Sequence, residues 1–292
     1  MTRSGFVALA GRPNVGKSTF VNAVVGEKVA IVSDRPQTTR RAIRGVHHSG
    51  EAQIVLVDLP GVQRPRDALT SRMARRVQQE LEGADAALLI VNAEQGIGPG
   101  DRFIARTLAE AGRPAAIAVN KVDRVGRPAL LEALSAAAEL ELDGEVFPIS
   151  ARTGAGIEAL TAHLGSLLPQ GPFMFEAGTA SDQAPELLVA ELIREAAIRR
   201  TFQEVPHALE VIVEEIEEER GLTRVRALVW VESESQKGIL IGAGGAMIKA
   251  IGTAARKELE KALGARVHLD LSVRVRRDWR ADDGLLDRLG IG

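Results

Sequence analysis

A loop of nine residues, Gly11 to Thr19 with the sequence GRPNVGKST, constrains the fold of this chain more than any other stretch. It follows the apolar run Phe6 to Ala10 and precedes a run typical of a helix. The spacing G-x-x-x-x-G-K-S at a strand-to-helix junction suits phosphate, because the N–H groups of the loop and of the helix N-terminus point at phosphate oxygens. The alternative is a glycine-rich turn that binds nothing, and the full spacing at this junction argues against it.

The loop and a later threonine segment predict a triphosphate site with Mg²⁺. Lys17 is expected to reach the β- and γ-phosphates, and the Ser18 hydroxyl is expected to hold Mg²⁺. A second hydroxyl is expected from Thr39, with Thr38 as the alternative, because segments of this kind order around a γ-phosphate. The other predicted nucleotide contacts in the loop are Asn14, Val15, Gly16 and Thr19.

The segment Asp58-Leu59-Pro60-Gly61 follows a strongly apolar run typical of a buried strand. Asp58 is expected to join the Mg²⁺ shell, and the Gly61 N–H is expected to bond the γ-phosphate. Alone, this segment is an ordinary turn. Its place after a phosphate loop and a threonine loop favours the site, and the predicted catalytic residues are Lys17, Thr39, Asp58 and Gly61.

The residue after this segment is Val62, where Ras-type switches carry a glutamine that orients the attacking water. An isopropyl group cannot orient water. Hydrolysis is therefore expected to depend on Lys17 and Mg²⁺, on a side chain of a partner, or on a monovalent cation such as K⁺. Arginines that flank these segments include a candidate charge donor, although a solvated basic surface is the simpler interpretation for most of them: Arg35, Arg40, Arg41, Arg64, Arg66, Arg72, Arg75 and Arg76.

The tetrad Asn120-Lys121-Val122-Asp123 predicts a preference for guanine. It ends an apolar run, and a single carboxylate that accepts both N–H donors of the guanine edge selects guanine over adenine. Asp123 is assigned that role, with Asn120 bonding the base and Lys121 packing along it. A charged turn is the alternative, which the position at a strand end disfavours. Backbone N–H groups of Ser150, Ala151 and Arg152 are expected to contact the guanine oxygen.

Alternating strand and helix patterns over residues 1–170 predict an α/β domain with a mostly parallel, doubly wound sheet. Residues 171–185 lack periodicity and contain several prolines and glycines, which predicts a linker. Residues 186–292 predict a smaller α+β domain. In it, a strand from Ala208 to Ile216 is expected to lead into an acidic turn that ends at Gly221.

The smaller domain contains Gly242-Ala243-Gly244-Gly245 between two helix-like runs. A G-x-x-G loop in this position predicts a KH-type fold, whose bare backbone clamps single-stranded nucleic acid. A dinucleotide fingerprint is rejected because Met247 stands at the place of the third glycine, whereas a plain helix cap remains an alternative. The predicted RNA contacts are Lys237, Ile241, Gly242, Ala243, Gly244, Gly245, Met247, Lys249, Arg256 and Arg276.

Charge and composition restrict the partners. The chain has 37 basic and 39 acidic residues, a net charge of −2, so any nucleic-acid surface must be local. Cysteine is absent, which removes disulfides, thiolate metal sites and a cysteine nucleophile. No apolar stretch approaches the roughly eighteen residues of a membrane span, and the N-terminus leaves no room for a signal peptide. A reducing cytoplasm is the expected location.

The motifs together resemble those of the Era family of bacterial GTPases, and the first five alone resemble a translation-type GTPase domain. GRPNVGKST, PQTTR, D-x-P-G, NKVD, S-A-x-T-G and SQK-x-x-x-IG-x-GG occur in the family order along essentially the full chain. The resemblance implies a KH domain of bacterial topology, GTP and GDP with Mg²⁺ as ligands, and small-subunit ribosomal RNA as a partner. Specifically, it implies a monomeric assembly factor that binds the 3′ end of that RNA and the small ribosomal subunit. It also implies some peripheral association with the inner face of the cell membrane.

The chain departs from the family pattern at two single positions and in one short segment. Leu59 stands where threonine is usual, Ala243 replaces a longer and often basic side chain, and Phe175-Glu176-Ala177-Gly178 replaces a tyrosine and acidic residues. Ala243 is expected to weaken RNA affinity. Two other functions compete with a nucleotide-gated switch: a constitutive RNA-binding chaperone with a structural nucleotide, and a small-molecule kinase, which the guanine tetrad disfavours.

Overall fold

The computed structural model describes residues 1–33, 35, 38–62, 65, 67–219 and 221–291. These residues form two units. The first contains Met1–Ala30, Thr39–Pro65 and Thr70–Asp182, and the second contains Ile31–Thr38, Arg66–Leu69 and Gln183–Gly292. The second unit therefore includes two short segments from the first part of the chain.

The first unit is built on a six-stranded sheet in the order β2-β3-β1-β4-β5-β6. Only the β2–β3 pairing is antiparallel. In this sheet β1 lies between β3 and β4, so the strand order changes direction at β1. The carboxyl ends of β1 and β4 therefore border the crevice where such sheets bind ligands. The strands are β1 Arg3–Ala10, β2 Ile43–Ser49, β3 Ala52–Asp58, β4 Ala86–Asn92, β5 Ala115–Asn120 and β6 Gly144–Pro148.

Helices cover both faces of this sheet. Side chains of β4 alternate between the two faces: Leu89 packs with the cluster that includes α2, α3 and α4, and Leu88 packs with α1 and α5. Burial on both faces explains why β4 is apolar at nearly every position. The doubly wound α/β fold is confirmed. The helices are α1 Lys17–Val25, α2 Ala68–Gly83, α3 Pro99–Ala111, α4 Arg127–Ala138 and α5 Ile157–Leu167.

Helix α2 is absent from the sequence-based prediction. Its apolar residues Leu69, Met73, Val77 and Leu81 recur every fourth position and are all buried. The sequence signal for this helix was a single apolar stripe among many charged residues. The arginines between the apolar positions obscured it.

The segment after α5 lies against the first unit. The buried Gln53 side chain accepts from the backbone N–H groups of Met174 (2.7 Å) and Phe175 (3.0 Å) and donates to the Phe175 carbonyl (2.8 Å). Ser181 donates to the Arg44 carbonyl, and the Val46 N–H donates to Ala180. Residues 171–182 thus belong to the first unit despite their loop-like composition.

The second unit packs helices on one face of a three-stranded sheet. The sheet order is β7-β8-β9, with β7 antiparallel and β9 parallel to β8. Leu192 of α6, Val229 of β8 and Leu259 of α9 belong to one buried cluster. The elements are α6 Pro185–Ile198, α7 Val205–Ala208, β7 Glu210–Glu219, β8 Leu222–Val231, α8 Glu234–Ile241, α9 Ala246–Leu263, β9 Arg266–Val275 and α10 Asp283–Arg288.

The described residues include no single helix that is long and apolar enough to cross a membrane. Helices α8 and α9 meet these two criteria only as a pair, which is bent by 42° at the glycine loop.

The acidic residues directly after Ile216 continue the strand, whereas the sequence predicted a turn there. Strand β7 continues to Glu219 after an irregularity between Val213 and Glu215. Glu215 is paired in register with Arg226 of β8 and forms an ion pair with it at 2.5 Å. Charges on an edge strand oppose pairing with another chain, so the acidic residues protect this edge of the sheet.

Ile31, Val32 and Thr38 are held within the second unit by contacts that include α6. Ile31 lies in its apolar cluster, the Val32 N–H donates to Glu195 Oε1 (3.1 Å), and the Arg194 side chain donates to the Thr38 carbonyl. Arg194 is fully buried and paired with Glu191 at 2.6 Å. Burial opposes its charge, but Glu191, Glu210 and Glu195 outweigh burial and raise the pKa of Arg194.

Substitution of Gly156, at the start of α5, tests the packing of the first unit. Its φ is +73°, and an added Cβ would lie 2.3 Å from the Pro148 carbonyl oxygen. Gly112 at the end of α3 has φ +64° with open space around it. We expect Gly112→Ala to cost about 1–2 kcal/mol of left-handed strain and Gly156→Ala about 2–5 kcal/mol because overpacking adds to that strain. Thermal melting of the full chain measures the difference, and equal melting temperatures would contradict the packing.

Candidate nucleotide site and nucleic-acid loop

The phosphate loop leaves the end of β1 and places Lys17 as the first residue of α1. The Lys17 ammonium is buried and donates to the carbonyls of Gly11 (3.2 Å) and Arg12 (3.3 Å). Burial lowers the pKa of Lys17, and the nearby Asp58 carboxylate acts in the opposite direction. An anionic phosphate at this loop would favour the charged amine in the same way as Asp58 does.

Three oxygen-bearing side chains converge beside the loop. The Ser18 hydroxyl donates to Asp58 Oδ2 at 2.5 Å and lies 3.1 Å from Thr39 Oγ1, which is itself 3.3 Å from Asp58 Oδ2. Two hydroxyls and a carboxylate form a hard-oxygen set that fits Mg²⁺. Thr38 is not part of this set, because its hydroxyl donates to the Arg35 carbonyl at 2.6 Å.

The segment after Asp58 lies directly on the phosphate loop. A Cβ on Gly61 would be 2.9 Å from Pro13, and the Val62 N–H donates to the Gly11 carbonyl at 3.3 Å. The Val62 side chain packs against the apolar cluster of the first unit. This contact gives the isopropyl group a packing role.

Arg12 is a site residue that the sequence analysis missed. Its side chain donates from Nε to Asp101 Oδ1 at 2.9 Å and from Nη2 to the Gly96 carbonyl at 3.2 Å. Asp101 is fully buried and also accepts the Gly98 N–H at the start of α3. The pair joins the phosphate loop to α3. The available signal was an aspartate three residues after Gly98, where such residues cap helices.

The tetrad after β5 is tied to the phosphate loop by Asn120. Its Nδ2 donates to the Val15 carbonyl (2.8 Å), and its Oδ1 accepts the N–H groups of Lys121 (2.8 Å) and Ala151 (3.0 Å). Lys121 Nζ donates to the Asn14 carbonyl at 2.8 Å. Asn14 and Lys121 both have positive φ, +64° and +68°, a strained conformation that clusters at functional sites.

Asp123 is positioned by the next loop. The Ser150 hydroxyl donates to Asp123 Oδ1 at 2.5 Å, and Arg152 donates to Oδ2 from Nη2 at 2.5 Å. The Ser150 hydrogen bond is the largest influence and lowers the pKa of Asp123 despite some desolvation, with Arg152 acting in the same direction. An ionised carboxylate is the form that accepts two N–H donors.

The structure also locates most of the arginines that flank these segments. Arg40 and Arg41 are buried, so a solvated surface is the wrong interpretation for them. Arg75 lies exposed on α2, Arg76 pairs with Glu80 at 2.6 Å, and Arg35 lies over the Phe202 ring within the second unit. Arg64 and Arg66 lie outside the described residues.

The glycines of the loop between α8 and α9 differ in the space around the position that a Cβ would occupy. Gly242, Gly244 and Gly245 have φ values of +70°, +58° and +80°. A Cβ on Gly242 would be 2.8 Å from Met247, whereas Gly244 and Gly245 have open space at that position. Gly242 is thus required for packing, while the next two glycines leave the backbone accessible. Ala243 and Gly244 are exposed.

The other predicted RNA contacts have different environments. Lys249 and Arg256 are exposed on α9, and Ile241 and Met247 are half-buried beside the loop. Lys237 lies 3.9 Å from Glu234. Arg276 follows β9 and pairs with Asp282 at 3.4 Å. Near it, Trp279 is fully buried and donates to the Ala208 carbonyl, so the closing segment is partly structural.

Comparison with known proteins identifies the family. Residues 6–121 match the family model described as a 50S ribosome-binding GTPase, and residues 204–280 match the KH domain model. GTPase Era of Mycobacterium tuberculosis H37Rv is 46% identical over 98% of both chains. The chain belongs to the GTPase Era family. GTPase Era of Mycobacterium avium is also 46% identical, over 99% of this chain and 98% of its own.

Solved Era structures have the same fold. An Aquifex aeolicus Era variant bound to GDP.AlF4- superposes with a TM-score of 0.93 at 35% identity, covering 100% of this chain and 99% of its own. Era in complex with MgGDPNP and nucleotides 1506–1542 of 16S ribosomal RNA gives 0.94 at the same identity and coverage. As a member of the Era family, this chain is a GTPase with an N-terminal P-loop domain and a C-terminal KH domain.

Substitution of Asp123 tests the base site. Asp123→Asn replaces the carboxylate that pairs with two guanine N–H donors, so we expect GTP affinity to fall by about 10² or more and preference to move towards xanthosine triphosphate. Binding of both nucleotides by the purified protein measures the change. Arg152→Gln serves as a control that removes a neighbouring charge and keeps the carboxylate. GTP affinity equal to that of the parent, with no gain for xanthosine triphosphate, would contradict the assignment.

Proposed function

We propose that this protein is a GTP-dependent switch that binds the 3′ end of small-subunit ribosomal RNA and assists assembly of the small ribosomal subunit. The observation that carries this proposal is the presence, in one Era-family chain, of a complete guanine nucleotide site and an accessible G-x-x-G loop. The related Era complex with 16S ribosomal RNA nucleotides supports the choice of RNA. Gly244 and Gly245 offer the open backbone that a phosphate chain needs.

The hydrolytic site is proposed to work mainly by positioning charge. Lys17 and the backbone N–H groups of the phosphate loop bind the β- and γ-phosphates, and the Gly61 N–H contacts the γ-phosphate. Ser18, Thr39 and Asp58 are the residues that would hold Mg²⁺, which neutralises the charge of the phosphates when it is bound. Asp58 and Thr39 are already aligned by the Ser18 hydroxyl.

The threonine segment gives the switch a physical basis. Within the second unit, Glu195 and Arg194 of α6 form hydrogen bonds with Val32 and Thr38, respectively. The next residue in the chain, Thr39, carries a hydroxyl of the proposed Mg²⁺ site. Since a ligand shifts a two-state equilibrium only through its different affinities for the two states, we propose that GTP and GDP differ in their interaction with Thr39.

Further properties are proposed from the family resemblance. We place the protein in the cytoplasm as a monomer, with part of it associated peripherally with the inner face of the cell membrane. K⁺ is proposed as an accelerating cation because Val62 supplies no water-orienting group. Hydrolysis rates in K⁺ and Na⁺ at equal ionic strength test this, and equal rates would leave Lys17 and a partner's side chain as the sources of catalysis.

One measurement distinguishes a nucleotide-gated switch from a constitutive RNA-binding chaperone. RNA affinity is compared with GDP and with a non-hydrolysable GTP analogue bound to the same protein. A switch requires a difference in affinity, about tenfold for each 1.4 kcal/mol of coupling. Equal affinities in both states would favour the constitutive chaperone.

Val62 and Ser18 test the hydrolytic mechanism. We expect slow intrinsic hydrolysis, at or below roughly 10⁻² per second, as in unassisted GTPases. Ser18→Ala and Lys17→Ala should abolish it, because they remove a Mg²⁺ ligand and a phosphate-binding charge. Val62→Ala should change the rate by less than about threefold, since the side chain packs against the core and contributes no polar group. A large loss of single-turnover rate in Val62→Ala would show that Val62 takes part in catalysis.

Gly244 tests the RNA loop, with a matched pair of variants. Asparagine and aspartate both tolerate the left-handed conformation and have nearly the same size, and there is open space at this position. Gly244→Asp adds a negative charge next to the phosphate backbone, so RNA affinity should fall at least tenfold further than in Gly244→Asn. GTP affinity and melting temperature should be equal in the two variants. Equal RNA affinities would remove the loop from the interface.

A further inference from the structure

An open cavity of about 530 Å³ lies beside α9 in the second unit. Its charged and polar lining consists of Lys249, Thr253 and Lys257 of α9 with Arg200 from the end of α6, and three alanines of α9 complete it. The α9 residues recur every three or four positions and share one face of the helix. The opposite face, with Ile251, Ala255 and Leu259, is buried in the core. We call this feature the α9 basic cavity.

The charge of this cavity is unbalanced. Within the described residues, no carboxylate forms an ion pair with Arg200, Lys249 or Lys257. The Arg200 side chain donates to the Ala196 carbonyl at 3.2 Å, which fixes it beside the last turn of α6. Some other cations of the second unit are paired, for example Arg226 with Glu215 and Arg199 with Glu195. Three unpaired cations around one concave surface form a site for an anion.

We propose that the α9 basic cavity is a second phosphate-binding site for RNA, which contacts nucleotides beyond those held by the glycine loop. This inference rests on the proposed RNA binding. The cavity is continuous with the loop, because its first residue, Ala246, directly follows Gly245. Lys249 and Lys257 are eight residues apart, about 12 Å along the helix axis, so they reach different phosphates of one backbone.

The lining predicts contacts that do not depend on base sequence. The alanines leave room for a backbone to approach, and the Thr253 hydroxyl is engaged with the Lys249 carbonyl at 2.8 Å. Lysine and arginine side chains that meet phosphate position a nucleic acid, whereas base edges carry sequence information. The loop of a KH domain clamps about four nucleotides. The cavity therefore adds affinity and direction to an RNA that is longer than this clamp.

An anionic lipid surface is the competing partner for a basic helix. A helix that binds a membrane presents bulky apolar side chains beside its charges, so that they enter the acyl boundary. The α9 basic cavity presents only alanines and Thr253 beside its cations, and it is concave. These features favour a phosphate chain over a lipid surface.

The experiment compares Lys257→Gln and Arg200→Gln/Lys257→Gln with the control Lys261→Gln. Lys261 is an exposed lysine of the same helix that does not line the cavity. The probes are two RNAs from the 3′ end of small-subunit ribosomal RNA, one of about six nucleotides and one of about thirty-five, of which only the longer greatly exceeds the clamp. Affinity is measured at several salt concentrations.

The double variant should bind the long RNA about tenfold to a hundredfold more weakly, and the slope of log affinity against log salt should fall by up to about 0.7 for each phosphate contact removed. Its affinity for the short RNA, the melting temperature and all properties of Lys261→Gln should match the parent. Lys257→Gln, which does not disturb the α6 terminus, should show part of the same effect.

Unchanged affinity and salt slope for the long RNA in the double variant would overturn the proposal. Loss of binding to vesicles containing anionic phospholipid, with unchanged RNA binding, would assign the cavity to a membrane surface instead. Failure of the glycine-loop assignment is distinguishable, because it appears as intact RNA binding in Gly244→Asp. The proposal for the α9 basic cavity is decided by the affinity and the salt slope measured with the long RNA.

Discussion

The hydrogen bonds of the Asn120 side chain connect the loops on which the nucleotide site depends. One amide joins the Val15 carbonyl of the phosphate loop to the backbone N–H groups of Lys121 and Ala151. The loops that face the phosphates and the base are thereby fixed relative to one another before any ligand binds. Because a preorganised site loses less conformational freedom on binding, this single side chain contributes to affinity without needing its own contact to the nucleotide.

The parallel sheet explains why one amide can reach all three loops. Strands β1, β5 and β6 run in the same direction, so the loops at their carboxyl ends emerge at one edge. The β5 strand delivers Asn120 at this edge, and the β6 strand is followed by the loop that contains Ser150 and Ala151. Arg12 and Asp101 extend the same network to α3. Rigid strands therefore position residues that lie up to 107 positions apart in the chain.

Much of the fold and of the candidate site could be predicted because local patterns carry it. Motifs at strand ends identify the phosphate, magnesium and base segments, and the topology of a parallel sheet brings them together. Helix α2 escaped prediction because its narrow apolar stripe lies among arginines, and the end of β7 after Ile216 escaped because glutamates have low strand propensity. The Arg12–Asp101 pair joins residues with no shared local pattern. The membership of residues 31–38 in the second unit likewise depends on tertiary packing with α6.

That membership has a consequence for biosynthesis. Ile31 belongs to an apolar cluster whose other residues all lie between Leu188 and Val275. At a translation rate of about 5–20 residues per second, residues 31–38 emerge from the ribosome roughly 8–30 seconds before α6. During this interval an isoleucine and the backbone beside it have no native packing partner. Ile31 can therefore reach its native packing only after α6 has emerged, so the native position of this early segment depends on the last third of the chain.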